Sequence, residues 1–281
     1  MSVWAIIVRA SNERKDGHAM KVPMYQVDAF TAEPFAGNPA AVCLLDRPAG
    51  AAWMQAVAAE MNLAETAFVV PTGDRFGLRW FTPAVEVDLC GHATLAAAHV
   101  IWSTPLLGAG QPCRFDTRSG ELACHRRDDG WIEMDFPADP PVAAQPPATL
   151  GLPGVVWYGT GRWDAVAVLE DAAAVRGLVP DLNGIASVGT RLVVVSAPGD
   201  RPGIDCVSRA FAPNAGVAED PVTGSAHCTL AGYWGDRLGR DVLVGEQASA
   251  RGGIVRMRRA GDRVVIAGQA VTVARTYMDI P

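Results

Sequence analysis

The sequence holds little that would tie it to disulfides, metal, nucleic acid or a membrane. Its six cysteines are sparse in 281 residues, and none form a Cys-x-x-Cys pair. A disulfide scaffold, a structural zinc site and a thioredoxin-like motif are therefore unsupported. Reduced thiols in a cytoplasm are the expectation. No two histidines have the spacing of a metal site, so no metal is expected. Positive charge is scarce: the net charge is −6 and the pI about 5.4, whereas binding a phosphate backbone needs clustered Lys and Arg. The one basic cluster, "RMRRAGDR", reads as the exposed face of a strand and its turn. No stretch is apolar and long enough to span a bilayer. The opening "MSVWAIIVRASNERKDGHAM" carries its charges after its apolar run, where a signal peptide has them before. Residues 1–21 are expected to be a poorly ordered extension.

What is present is apolar and strand-like. Hydrophobic residues make up 49% and charged ones 19%, enough for a buried core. Short runs such as "MYQVDAF", "AAVCLL", "TAFVV", "FGLRWFT", "WIEMDF", "DAVAVL", "RLVVVSA", "CVSRAFA" and "DRVVIAG" read as strands bounded by Gly, Pro, Asp or Asn. Helical periodicity is limited to residues 49–62, with Trp53, Val57 and Met61 on one face, and to the Ala-rich stretches 91–102 and 224–237. The latter two are apolar on most sides and are expected to be buried.

The pattern occurs twice. "RWFTPAVEVDLCGHATLAAAHVIW" is echoed by "RAFAPNAGVAEDPVTGSAHCTLAGYW", and each is followed by a Gly-centred turn between strands, "DTRSGELAC" and "SARGGIVRM". Two halves, each wrapping strands around one buried helix, are expected, with a ligand in the cleft between them.

In each half an acidic loop feeds directly into the buried helix, through Gly91 in one and Gly224 in the other. The first N–H groups of a helix lack internal partners and carry partial positive charge, so two such starts would bind a carboxylate. The glycines alone could equally serve tight turns. His92, on the first helical turn, is expected to be neutral because the dipole opposes its charge; a packing role is also open. Glu65, flanked by Leu63, Ala64, Ala67 and Phe68, is expected to be partly desolvated and raised toward the pKa of a general base, or else to be an exposed strand-edge residue. Asp220 and Ser225 stand around the second helix start, where turn and capping roles are the alternative. Cys90 has no cysteine opposite it in "EDPVTG", so it reads as a small loop residue. His99 and His227 receive no role.

"YQVDAFTAEPFAGNPAAV", "AEMNLAETAFV", "RWFTPAVEVDLCGHAT" and "GVAEDPVTGSAH", in this order, closely resemble the PhzF-like family, whose namesake works in phenazine biosynthesis. The resemblance runs from about residue 24 to the C-terminus. It implies an α+β, diaminopimelate epimerase-like fold: two pseudo-symmetric halves, each a curved, mostly antiparallel sheet around a central helix. Residues 22–113 with 270–281 would form one half and 114–269 the other. It further implies a cofactor-independent isomerase of the dihydro-hydroxyanthranilate isomerase type, in which Glu65 shuttles a proton while His92 and Asp220 orient substrate and stabilise charge. Asn38, Gly91, Gly224 and Ser225 would bind substrate. A small carboxylic acid is the expected partner, and a cytoplasmic homodimer the expected state. Two other functions remain: an amino-acid racemase or epimerase using Cys90, and a non-catalytic binding member of the family.

Overall fold

The computed structural model describes residues 20–108 and 110–280. The chain begins with strand β1 (Met20–Ala29), β2 (Asn38–Leu44), helix α1 (Ala51–Met61), β3 (Glu65–Pro71), β4 (Phe76–Phe81), β5 (Glu86–Val87) and helix α2 (Gly91–Trp102). Next come β6 (Cys113–Thr117), β7 (Gly120–Arg126), β8 (Ile132–Pro137), β9 (Val142–Ala143), β10 (Val155–Thr160) and β11 (Asp164–Leu169). Helices α3 (Ala172–Gly177) and α4 (Leu182–Ala186) precede β12 (Leu192–Pro198), β13 (Cys206–Ala212) and β14 (Val217–Asp220). Helix α5 (Gly224–Leu238), β15 (Val242–Gln247), β16 (Gly253–Ala260), β17 (Arg263–Gly268) and β18 (Ala270–Ile280) complete it.

Two compact units result: Met1–Phe35, Pro39–Met134 and Gln269–Pro281 in the first, Ala36–Asn38 and Asp135–Gly268 in the second. In the first unit β2 pairs with β3 in parallel, β3 with β4 and β4 with β5 antiparallel, and β4 with β6 in parallel. Antiparallel β6/β7 and β7/β8 follow. The second unit repeats this order: β11/β12 parallel, β12/β13 and β13/β14 antiparallel, β13/β15 parallel, then β15/β16 and β16/β17 antiparallel. The duplication read from sequence is thus a duplication of hydrogen-bonding order. The first boundary differs from expectation. It falls at Met134/Asp135 instead of 113/114, because β6 is seated on β4 and carries β7 and the start of β8 with it. The C-terminal strand β18 pairs with β1. Of the extension expected over residues 1–21, residues 1–19 lie outside the described residues, while Met20 already starts β1.

Local chemistry explains these elements. In β11 and β12, "DAVAVL" and "LVVVSA" are buried without alternation, as in parallel pairs covered on both faces. In β8, Ile132, Met134 and Phe136 alternate with more exposed residues. Helix α1 stops at Asn62, whose φ of 49° is left-handed and whose N–H bonds to Ala58 O, a terminator Asn tolerates well. Its Met54 and Val57 pack on Phe68 and Phe81. Helix α2 packs against β1, β3 and β18 and is buried nearly throughout; α5 packs against β11, β15, β16 and β17.

The repeat extends to an ion-pair clamp. Arg79 donates to Glu86 at 2.6 and 2.8 Å and lies 5.2 Å over the Phe81 ring. Arg209 donates to Glu219 at 2.7 and 2.8 Å and lies 5.1 Å over the Phe211 ring. Each clamp ties the Arg-x-Phe strand to the short strand before the central helix. They differ in burial: the Arg79 side chain is 35% exposed and the Arg209 side chain 12%, and Arg209 also donates to Leu178 O at 2.6 Å. Removing one partner of a buried pair leaves the other uncompensated, but Glu86 also meets Arg118 at 3.0 Å, a contact that survives the loss of Arg79. Arg209→Ala is therefore expected to cost about 3 kcal/mol in urea unfolding, against about 1 kcal/mol for Arg79→Ala. Equal losses would contradict the role given to burial.

Candidate active site

In the first unit, Asn62 ends α1 so that Glu65 becomes the opening residue of β3, paired with Ala40 of β2. After β5, Cys90 takes an extended conformation as N-cap of α2, and Gly91 and His92 form the first turn. The carbonyl of Cys90 accepts the backbone N–H of Thr94 at 3.1 Å and its hydroxyl at 2.6 Å. No side-chain cap is formed at the helix start; the Ala93 N–H is directed at the Cys90 sulfur, and the Gly91 and His92 N–H groups before it have no partner within the helix.

This geometry joins three side chains. His92 Nε2 lies 3.0 Å from Glu65 Oε2, and His92 Nδ1 lies 3.4 Å from Cys90 Sγ. The side chains of His92 and Glu65 are 7% and 19% exposed. Burial by itself raises the Glu65 carboxyl, but the charge of His92 and hydrogen bonds from His92 and Cys90 outweigh it and hold the group below its ordinary value. Burial likewise pulls His92 down, yet the Cys90 sulfur and the Glu65 carboxylate keep it protonated to well above its ordinary value. Cys90 is raised, by burial first and then by the Glu65 charge.

Both protonation expectations are therefore reversed. A raised Glu65 and a neutral His92 follow from desolvation and the helix dipole taken alone. The dipole contributes up to ~2 kcal/mol. A facing charge at this separation attracts with a gross energy on the order of 4 kcal/mol at an effective dielectric of about 20. The ion pair wins. The reading of Cys90 as a mere loop residue also changes, since it is the second neighbour of the imidazole. The side-by-side "CGH" was the available signal; the strand that brings Glu65 to it is distant in sequence. Among the described residues, Glu65, Cys90 and His92 are also the one group of three metal-capable side chains whose donor atoms converge, within 4.8 Å of one another. A metal there would have to replace the contacts that His92 makes with the other two.

The second unit builds a different arrangement around the same helix start. Asn38 Nδ2 donates to Asp220 Oδ1 at 2.8 Å and to Val222 O at 2.9 Å. The Thr223 hydroxyl, standing at the N-cap of α5, donates to Asp220 Oδ2 and makes no side-chain cap. Gln247 closes the loop, accepting the Thr223 N–H at 2.8 Å and donating to Asp220 O at 2.8 Å. Gly37, at a left-handed φ of 63°, is held by Gly252 and Arg251. Asp220, Asn38 and the start of α5 thus form one hydrogen-bonded loop. Ser225 is bound elsewhere: its Oγ accepts Arg191 Nη2 at 3.0 Å. His227 is buried, bonded through Nδ1 to Thr223 O, and pushed down to about 4 by burial. His99 meets Thr272 at 3.0 Å and is likewise lowered to about 4 by burial. Both are neutral packing residues.

Sequence reasoning missed Gln247 and Arg191. No local motif announces either, because their partners lie in other strands. No helix among the described residues is long and apolar enough to cross a membrane.

The sequence profile described as "Phenazine biosynthesis-like protein" matches residues 27–276. A protein of Halalkalibacterium halodurans named an uncharacterized isomerase is 44% identical over 92% of this chain and 99% of its own length. A solved structure of a PhzF-family phenazine biosynthesis protein from Enterococcus faecalis aligns with a TM-score of 0.86 at 40% identity, over 93% of this chain and 100% of that one. The structure of a predicted epimerase from Pseudomonas aeruginosa, at 23% identity and a TM-score of 0.69 over 92% of this chain and 99% of that one, shows the epimerase-like fold. Relatives named isomerase support an isomerase-type activity. With its profile, its relatives and its α+β fold in agreement, the chain belongs to the PhzF, or phenazine biosynthesis-like, family.

Proposed function

We propose that the protein is a cofactor-independent isomerase that moves a proton between carbons of a small, cyclic carboxylic acid. The observation that supports it is the buried Glu65–His92 pair beside the uncapped start of α2. A carboxylate with one oxygen on a protonated imidazole keeps its other oxygen for a carbon-bound proton. In this reading the N–H groups at Gly91 and His92 take the substrate's carboxylate, Glu65 is the base, and the same group returns the proton to a second carbon. Held below its ordinary value, Glu65 is a weak base at rest. An arriving carboxylate neutralises part of the His92 charge and so raises Glu65 toward a useful basicity.

For the second unit we propose that Gly224 and Ser225 hold a polar group of the substrate. Asp220 and Asn38 would maintain that helix start, since both Asp220 carboxylate oxygens are taken up within the loop. Six free cysteines fit a reducing compartment, and a cytoplasmic homodimer without nucleic-acid or membrane partner remains part of the proposal. Sedimentation velocity reads the subunit number.

A second reading, amino-acid racemisation with Cys90 as base, is favoured by the Cys90–His92 contact. Against it, the thiol is raised by burial, and the N-cap of the matching helix is Thr223, which offers no second thiol.

The first test follows C–H exchange in D₂O by NMR over a panel of small carboxylic acids, dihydro-hydroxyanthranilate and amino acids included. Ring or allylic exchange is expected, reduced about 10³-fold in Glu65→Gln. Exchange confined to an amino-acid Cα and abolished by Cys90→Ala would transfer the assignment to the racemase.

The pH dependence has a definite sign. Glu65 is depressed, so the active carboxylate is lost only as pH falls through a value below 4.5. His92 is raised, so its charge persists until pH rises well above 6.5. The profile of kcat/KM should be flat between those limits. Stability contributed by the pair should be full between 4.5 and 6.5, and fade as pH falls from 4.5 through the lowered Glu65 value or rises from 6.5 through the raised His92 value. In His92→Asn, burial acts on Glu65 against the Cys90 hydrogen bond alone, and the acid limb should move up in pH.

A further inference from the structure

The two units connect their helix starts to their sheets at matching places with opposite chemistry. In the first, the residue after the opening glycine of α2, His92, reaches Glu65, which occupies the first rung of the parallel β2/β3 ladder. In the second, the residue after the opening glycine of α5, Ser225, reaches Arg191. Arg191 immediately precedes Leu192, which occupies the first rung of the parallel β11/β12 ladder opposite Asp164. By register Leu192 matches Glu65, and Arg191 stands one residue before it, immediately ahead of the strand start.

Arg191 is held in a fixed pose. Its Nε donates to Asp164 Oδ1 at 2.9 Å and its Nη2 to Asp164 Oδ2 at 2.6 Å. The Asp164 side chain is 1% exposed. The Arg191 backbone N–H donates to Trp163 O at 3.0 Å. A bidentate grip on a buried carboxylate fixes the plane of the guanidinium. The same Nη2 that serves Asp164 also donates to Ser225 Oγ. A guanidinium has only donors, so Ser225 must accept, and its single hydroxyl proton is left to point away from Arg191.

We infer that Arg191 is a positioning residue that turns the Ser225 hydroxyl proton toward a carboxylate oxygen of the substrate, making Ser225 a hydrogen-bond donor there. This rests on the reading above that Ser225 meets substrate. Without Arg191 the hydroxyl rotates freely and can present a lone pair to an anion as readily as a proton; with it, one lone pair is taken and the proton is turned away from Arg191, which favours donation to an anion on the other side. Asp164 acts one step further back by orienting the guanidinium. The second unit then supplies fixed donors and no proton acceptor at the place where the first supplies Glu65.

Removing Arg191 alone would strand the buried Asp164 charge and could unfold the unit. The test therefore uses the neutral pair Arg191→Gln/Asp164→Asn, whose glutamine is too short to reach Ser225. Benzoate, an unreactive planar carboxylate, is titrated calorimetrically into the wild type, Ser225→Ala, the neutral pair and the triple variant, each with its melting temperature recorded. Ser225→Ala and the neutral pair should each weaken benzoate about tenfold, and the triple variant should be no weaker than either, because all remove one hydrogen bond. With an exchanging substrate, KM should rise in parallel while kcat changes little. Additive losses in the triple variant, wild-type affinity in the neutral pair, or no benzoate binding by the wild type would each overturn the inference. A wild type that shows the coupled binding pattern yet exchanges no C–H would leave it standing and overturn the isomerase reading instead.

Discussion

A carboxylate can begin β3 against the buried helix α2 only because an imidazolium faces it. Glu65 and His92, 3.0 Å apart with their side chains mostly out of water, are each unfavourable alone. Desolvation would neutralise either one, and together they retain both charges. Much of the surrounding local structure serves that contact. The left-handed Asn62 ends α1 so that Glu65 can open a strand, and the extended Cys90 turns the chain so that His92 falls on the first turn of α2. The parallel seat of β6 on β4 carries the chain onward after α2.

The duplicated topology makes the differences between the halves informative. Strand order, ion-pair clamp and helix start are repeated, so residues at matching positions have been placed by the same backbone. Where the first unit has Cys90, Gly91 and His92, the second has Thr223, Gly224 and Ser225; where the first has Glu65, the second has Arg191 beside the strand start. The first set carries a carboxylate that can accept a proton, and the second carries a guanidinium and hydroxyls, which offer no base of that kind. Symmetric two-base chemistry needs an acceptor on each side of one carbon, and the second unit has neither a thiol nor a carboxylate at the positions matching Cys90 and Glu65. A reaction in which one base both removes and returns the proton needs no such partner.

Much of the fold was legible because it rests on patterning. Continuous apolar runs such as "LVVVSA" could only be covered strands, and the Ala-rich stretches after Gly91 and Gly224 could only be buried helices. The internal echo showed the halves before any strand was paired. The boundary at 134/135 was not legible, since it depends on β6 choosing β4, a long-range pairing without a local signal. Residue types at the site were visible in the same way, but charge states were not. Glu65 among Leu63, Ala64, Ala67 and Phe68 looks desolvated in sequence, and it is. The sign of its shift depends on which atom lies 3.0 Å away, and no spacing reveals that. Gln247, Arg191 and Asp164 were hidden for the same reason.

The charge state of the pair also limits what can be a substrate. On the proposed reading, the His92 charge holds Glu65 below its ordinary value, and a base so held removes only a strongly activated proton. A neutral substrate would leave that hold intact. An anion at the start of α2 competes for the His92 charge, and each unit of pKa it returns to Glu65 is worth about 1.4 kcal/mol toward proton removal. On the proposed reading, the carboxylate is then more than a handle for binding: it sets the basicity of the group that acts on the neighbouring carbon. A substrate stripped of its carboxylate would lose binding and reactivity together, so no increase in its concentration would restore the rate.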